Sequence, residues 1–224
     1  MVSTGVRLRW FTPLAMLTVA ACAQPAPITE STPPSAGQVR PVNPADIRRM
    51  RGSFPPGYEI SDIRGAASPA LYWGLKPGWS AEPAHCGALA DPAAGGASPP
   101  EGLSGSGSGG IIYVVAAAAA AEPDPGTIAD CGHWVMDSAR TTATVDRTDG
   151  PAIDGVPTLG MAAAIRTVVE GGTETDLRAV TVVGYLGEYV AFVTVVTDPG
   201  SAQPQLPPEL ASKLLTEAVA TLRG

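Results

Sequence analysis

Three apolar segments in the C-terminal third, separated by glycine-containing turns, constrain the fold more than any other feature of the sequence. The segments span residues 159–170, 177–185 and 188–197. Gly171-Gly172 lies between the first two segments, and Leu186-Gly187 lies between the last two. Short connections of this kind favour antiparallel hairpins. We therefore predict three consecutive antiparallel strands.

Other segments add strands and helices to these hairpins. Alternating or continuous apolar residues predict further strands at residues 57–63, 111–115 and 141–148. Helical spacing and N-terminal capping residues predict helices that begin near Pro44, Pro83, Thr127 and Pro207. The sum is an α+β domain, with an antiparallel sheet of about five or six strands and helices packed on one face.

Residues 93–110 are rich in Gly, Ser and Pro and predict a loop. Within them, GSGSGG at 105–110 matches the GxGxxG pattern of dinucleotide sites. That fingerprint needs a strand before it and a helix after it. Here a Pro-rich segment precedes it and a β segment follows. We interpret the motif as a flexible loop and predict no cofactor.

The N-terminal 21 residues have the parts of a secretory signal peptide. Arg7 and Arg9 supply positive charge, and an apolar run of residues 10–21 follows. The run is too short for a transmembrane helix, which needs about 20 residues. Residues 19–22 (VAAC) resemble the lipobox of bacterial lipoproteins, whose cysteine receives a diacylglycerol before cleavage. This resemblance implies lipidation of Cys22, whereas an ordinary signal peptide cut nearby would leave that cysteine incidental.

The next residues predict a tether. Residues 22–42 contain Cys22 and a Pro-rich spacer, which is too poor in apolar residues to fold. A single domain at 43–224 follows. Anchoring by acyl chains predicts that this domain stays at the outer face of the cell membrane.

The charge balance bears on possible partners. The chain has 14 basic and 21 acidic residues, a formal net charge of −7. An acidic domain without a basic stripe repels phosphate backbones, so we predict no nucleic-acid partner. The predicted contact with the membrane is made through the N-terminal lipid.

With Cys22 lipidated, Cys86 and Cys131 remain, an even count in an oxidising compartment. We predict a disulfide between them. Two alternatives use the neighbouring histidines: a zinc site of both cysteines with His85 and His133, or a Cys–His nucleophile. Adjacent helical residues point about 100° apart, which disfavours His85 and Cys86 facing one ion. We predict no metal.

Two further groups are candidate functional residues. Glu170, Glu174 and Asp176 surround one predicted hairpin turn, where a solvated tip is more common than a catalytic pair. Three tryptophans occur near the cysteines and are candidates for a ligand pocket, although such residues more often pack into a core. They are Trp73, Trp79 and Trp134.

Several motifs resemble a family of mycobacterial lipoproteins of unknown function. They are PPGYE (55–59), YWGLKPGW (72–79), PAIDG (151–155), TVVEGGTETD (167–176) and VVTDPGS (195–201). More distantly, the arrangement resembles the extracellular sensor domain of PknH-type receptor kinases. That resemblance implies a disulfide-braced antiparallel sheet with helices around a cleft, and no catalytic residue.

The expected function is therefore non-enzymatic: a lipid-anchored domain that binds or senses a small envelope ligand or a protein partner. Two other functions stay open at this point. One is an envelope hydrolase that uses the acidic hairpin or His85 and His133. The other is a structural envelope protein that only makes interactions.

Overall fold

A nine-stranded antiparallel sheet organises residues 41–119 and 121–224, the part of the chain that the computed structural model describes. The predicted signal peptide, Cys22 and nearly all of the spacer lie outside the described residues. The strands are β1 Glu59–Asp62, β2 Ser80–Glu82, β3 Glu101–Gly107, β4 Gly110–Ala118, β5 His133–Ser138, β6 Thr141–Thr148, β7 Thr158–Val168, β8 Glu174–Leu186 and β9 Tyr189–Thr197. Their order across the sheet is β1-β3-β4-β9-β8-β7-β6-β5-β2.

Short helices and one long helix complete the domain. The α-helices are α1 Pro69–Tyr72, α2 Gly87–Ala90, α3 Pro125–Asp130 and α4 Glu209–Arg223, and 3₁₀ helices span Pro44–Ser53 and Ala84–Cys86. The Asn43 side chain accepts a hydrogen bond from the backbone N–H of Ala45 at 3.2 Å and so caps the first 3₁₀ helix, which begins at Pro44. Among the described residues, no helix has the length and apolar character needed to cross a membrane.

Helices pack on both faces of the sheet, so the prediction of a single covered face was wrong. Val182 and Val183 are adjacent in β8 and belong to two different hydrophobic clusters. Successive strand residues point to opposite faces, so each cluster marks one face. One face carries α1, α2 and both buried tryptophans. The other carries the first 3₁₀ helix and α4.

The predicted sheet of about five or six strands was also too small, because β2, β3 and β5 were not recognised. Strand β3 lies in the segment predicted to be a loop. Its glycines face aromatic rings: a Cβ at Gly105 would lie 2.4 Å from Phe54 Cδ1, and a Cβ at Gly107 would lie 2.5 Å from Tyr58 Cδ2. The GSGSGG motif is therefore part of the β3–β4 hairpin, in which glycine leaves room for the rings.

Strand β5 occupies residues that we expected to continue the helix predicted to begin near Thr127. Asp124 caps α3 by accepting hydrogen bonds from the backbone N–H groups of Gly126 and Thr127, and the helix ends at Asp130. After Cys131 the chain becomes extended, with Trp134 buried and its neighbours alternating in exposure. The apolar spacing that suggested one helix was thus divided between a short helix and a strand.

The two edge strands are very short. Strand β1 has four residues and β2 has three, and both are largely exposed. On β1, the Arg51 guanidinium donates to the Ile60 carbonyl at 3.0 Å and to the Asp62 carboxylate at 2.6 Å. A charged side chain therefore occupies one backbone acceptor of this edge strand and pairs with one of its carboxylates.

Candidate functional site

The three tryptophans separate into two buried residues and one at a cavity. Trp73 and Trp134 are 0 % and 1 % exposed and belong to the core. Trp73 Nε1 donates a hydrogen bond to Thr181 Oγ1 at 3.2 Å. Trp79 is only half-buried and packs at the border of the same cluster. Two of the three predicted pocket residues are therefore part of the core, and Trp79 borders a cavity.

Trp79 lines a cavity of about 430 Å³, which lies within the range of small-molecule sites. The lining is mainly apolar and includes the ring of Tyr185. Two carboxylates, Asp91 and Glu122, share it. The remaining lining residues are small or are prolines: Gly87, Ala88, Pro92, Ala94, Ala121 and Pro123.

Local sequence explains how Trp79 reaches this position. Gly78 adopts a φ of 87°, which a residue with a Cβ rarely adopts, and this turn sets the direction of the chain into β2. The indole then lies against the start of α2, because Gly87 has no side chain. A Cβ built on Gly87 would be 2.7 Å from Trp79 Cζ3. Gly87 therefore permits the close approach that forms one wall of the cavity.

Burial raises the pKa values of two titratable groups that line the cavity, Tyr185 and Asp91. Tyr185 is 4 % exposed, and its hydroxyl has no hydrogen-bond partner among the described residues. Burial, and to a lesser extent the negative charge of Glu122, raises the pKa of Tyr185 well above its ordinary value, so the phenol stays protonated. Burial also raises the pKa of Asp91.

The Cys86–Cys131 disulfide stands beside this cavity and confirms the predicted pairing. Both residues are fully buried, and the two Cα atoms are 5.5 Å apart. The Nδ1 or Nε2 atom of His85 lies within 4.8 Å of both sulfurs. Sulfurs joined in a disulfide are not the thiolates that zinc binding or nucleophilic attack requires. The structure therefore favours the disulfide over both cysteine–histidine alternatives.

His133 does not join this group. It lies exposed on β5, and its Nδ1 is 2.7 Å from Asp146 Oδ1 on β6. His133 and Asp146 are directly opposite in the sheet. This contact is a cross-strand pair on the surface.

The acidic hairpin is a solvated tip. Glu170, Glu174 and Asp176 are all exposed at the β7–β8 turn. Arg166 lies 3.3 Å from the carboxylate of Glu174 and 3.4 Å from that of Asp176. One guanidinium thus pairs with both carboxylates across the strands, and they do not face each other across a cleft.

A second groove, of about 530 Å³, lies over β6, β7 and β8. It is on the face that carries α4, but α4 packs mainly on the first 3₁₀ helix and on β4, β8 and β9. Thr142, Ala164 and Arg166 are exposed there. Its lining is more polar than that of the Trp79 cavity and contains two arginines, Arg166 and Arg178.

Sequence reasoning identified Trp79 but not its partners in the cavity. Asp91-Pro92 had only the pattern of a helix stop, and Tyr185 had only that of a strand residue. Glu122 lies in an irregular segment after β4. These residues are brought together by the sheet topology, and we find no local sequence signal that would have grouped them.

Comparisons with known proteins agree with the fold and name no activity. A family model described as "Domain of unknown function (DUF5642)" matches residues 43–223. The X-ray structure of an uncharacterized protein from Mycobacterium smegmatis, an Rv0999 ortholog, is similar with a TM-score of 0.58. At 22 % identity, the match covers 83 % of this chain and 100 % of that one. No curated protein matches the chain.

Proposed function

The chain belongs to the DUF5642 family, whose function is unknown, and from that premise we propose that it is a lipid-anchored cell-envelope protein whose extracytoplasmic domain binds a small ligand without catalysing a reaction. The observation that carries this proposal is the cavity between Trp79 and Tyr185. Its volume and apolar lining suit a small molecule. The neighbouring disulfide is consistent with an oxidising compartment.

The non-enzymatic part of the proposal rests on how the candidate catalytic groups are engaged. Both thiols of the domain form the disulfide. In the acidic hairpin, Glu174 and Asp176 are paired with Arg166, and His133 is paired with Asp146. None of these groups lines the Trp79 cavity. A bound molecule would therefore meet aromatic rings and two carboxylates.

Binding can be tested with a thermal-shift screen of envelope lipids and glycans on the purified full-length protein. Compounds that stabilise it are then measured against two variants. Ala88→Trp places an indole in the Trp79 cavity, and Ala164→Trp places the same group in the groove over β6, β7 and β8 on the other face. We expect Ala88→Trp to abolish binding and Ala164→Trp to leave it intact.

The outcomes of this screen are distinct. If a compound stabilises the parent protein and Ala88→Trp but does not stabilise Ala164→Trp, it binds in the groove, and the proposed site is contradicted. If no compound stabilises the protein, the proposal of ligand binding is contradicted.

Anchoring is tested separately at Cys22. We expect mass spectrometry of the mature protein to find an acylated Cys22 at the N-terminus. Cys22→Ser should move the protein from the membrane to the soluble fraction, because several acyl chains are needed for stable anchoring. A mature protein that begins at an unmodified residue would contradict the proposal.

A further inference from the structure

Building on the binding function proposed above, we infer that the Trp79–Tyr185 cavity selects a protonated amine on an apolar body. Three features of the cavity carry this inference: its charge, its aromatic walls and an unused buried hydroxyl. The charge and the aromatic walls favour a cation over a neutral or anionic ligand, and the hydroxyl favours a ligand with a hydrogen-bonding group.

The charge of the lining is entirely negative. Asp91 and Glu122 line the cavity, and no Lys, Arg or His is among the described lining residues. Within the described chain, neither carboxylate has a side-chain hydrogen bond or an ion pair, and the ion pairs there involve other acids. Asp91 is half-buried, so its charged form has lost part of its hydration. A cation bound nearby would offset that loss, whereas an anion would add repulsion.

The aromatic walls of the cavity also favour a positively charged ligand. Trp79 and Tyr185 both line the cavity. The face of an aromatic ring carries negative electrostatic potential and attracts an ammonium group within about 6 Å of its centroid. Tryptophan is the most favourable ring for this interaction. The apolar body of the ligand would pack on the same rings and on the alanines and prolines of the lining.

The hydroxyl of Tyr185 is the independent observation. Tyr185 lines the cavity and is 96 % buried, yet its hydroxyl has no partner among the described residues. A buried polar atom without a partner destabilises the protein, and a ligand that supplies one recovers this loss. An ammonium group can donate to the phenol oxygen, and Glu122, which lines the same cavity, supplies a negative charge to balance it.

The test uses three probes that share a phenyl ring and differ in charge. They are 2-phenylethylamine as the cation at pH 7, 2-phenylethanol as the neutral analogue, and 3-phenylpropanoate as the anion. Binding to the full-length protein is measured by calorimetry or by NMR titration. We expect the amine to bind about tenfold more tightly than the alcohol, in line with a desolvated cation–π contact. The anion should bind most weakly.

Variants assign the preference to named groups. Asp91→Asn and Glu122→Gln should each reduce the amine-to-alcohol ratio severalfold and leave the affinity for the alcohol nearly unchanged. Glu59→Gln removes the same charge from the exposed edge strand β1 and serves as the matched control, with no change in the ratio expected. Tyr185→Phe should weaken the amine more than the alcohol.

The results separate this inference from the proposed function. Equal binding of amine and alcohol, blocked by Ala88→Trp, would overturn the cation preference and leave ligand binding in place. A preference that Glu59→Gln reduces as much as Glu122→Gln would overturn the assignment to the cavity, because long-range attraction would then explain it. If none of the three probes binds, the inference is overturned, and the proposed function is judged by the thermal-shift screen alone.

Discussion

Gly87→Ala tests the close contact that shapes the cavity. Gly87 has φ −58° and ψ −28°, a helical conformation that alanine adopts readily. From backbone considerations alone, the substitution should stabilise the fold by about 0.4–1 kcal/mol, because alanine restricts the unfolded chain. The side-chain environment opposes this gain. The new Cβ would be 2.7 Å from Trp79 Cζ3, 3.0 Å from Trp79 Cη2 and 3.3 Å from Ala81 Cβ.

The contact should outweigh the backbone gain. The shortest distance is too small for two carbon atoms, so the indole must move away from the core cluster against which it packs. Inserting a methyl group into a packed region costs about 1–3 kcal/mol. We therefore expect a net destabilisation of about 1 kcal/mol. For a domain of this size, this corresponds to a fall of about 2–4 °C in Tm.

A double-mutant cycle measures the contact by urea unfolding. Phenylalanine lacks the Cζ3 and Cη2 atoms of the indole, so Gly87→Ala in a Trp79→Phe background should be neutral or stabilising. The interaction energy between the two substitutions should be about 1 kcal/mol. If Gly87→Ala stabilises the otherwise unchanged protein, or has the same effect in both backgrounds, the described packing of Trp79 on Gly87 is wrong.

Three further predictions concern the core and the cavity wall. Replacing Cys86 and Cys131 with alanine should lower the free energy of unfolding by about 4 kcal/mol, because the disulfide closes a loop of 45 residues. Dithiothreitol should lower the urea midpoint of the parent protein and leave that of the variant unchanged, and an equal decrease in both would contradict this. Trp73→Phe should cost about 2 kcal/mol through the lost hydrogen bond to Thr181 and the space left behind, and an unchanged thermal midpoint would contradict it. Asp91→Asn should stabilise the protein at neutral pH, because burial raises the pKa of Asp91 in the folded state and its charged form is therefore the less stable one. The native Asp91 carboxyl favours folding below its ordinary pKa of 3.8, and this contribution is lost as pH rises through its folded pKa. The stabilisation by Asp91→Asn should therefore disappear below pH 3.8. Unfolding curves below that pH in which the stabilisation is unchanged would refute the assignment.

The centre of the sheet could be predicted from the sequence because its strands are long and their turns are explicit. Strands β8 and β9 were expected at 177–185 and 188–197, and they occupy Glu174–Leu186 and Tyr189–Thr197. Their nearly continuous apolar residues also signalled burial on both faces, which is why helices are needed on each side. The prediction of helices on one face did not take account of that signal.

The missed strands depend on contacts between distant parts of the chain. Strand β3 is composed largely of glycine and serine, which have low strand propensity. It is stable because Phe54 and Tyr58 supply the packing that its own side chains lack. A three-residue strand such as β2 has no pattern of its own and is formed by pairing with β5. In both cases tertiary contacts override local propensity.

The candidate site, like the sheet, could be predicted only in part. The cysteine pair could be predicted without any geometry, because assigning Cys22 to a lipid leaves two cysteines in a compartment expected to be oxidising. The cavity could be predicted only as far as Trp79, because residues 79, 91, 122 and 185 meet through the folded sheet. Composition does not reveal which tryptophan will be covered: Trp73 and Trp79 occur in one short motif and have different exposures.

The brevity of β1 and β2 has a consequence for how copies of this protein behave when concentrated. A wide β-sheet normally invites another chain to add to its margin, and such addition is how cross-β fibres grow. Here the margins are only four and three residues long, and Arg51 occupies one of them. Neighbouring molecules therefore have too little free backbone to join their sheets, and dense packing on a surface should leave them separate.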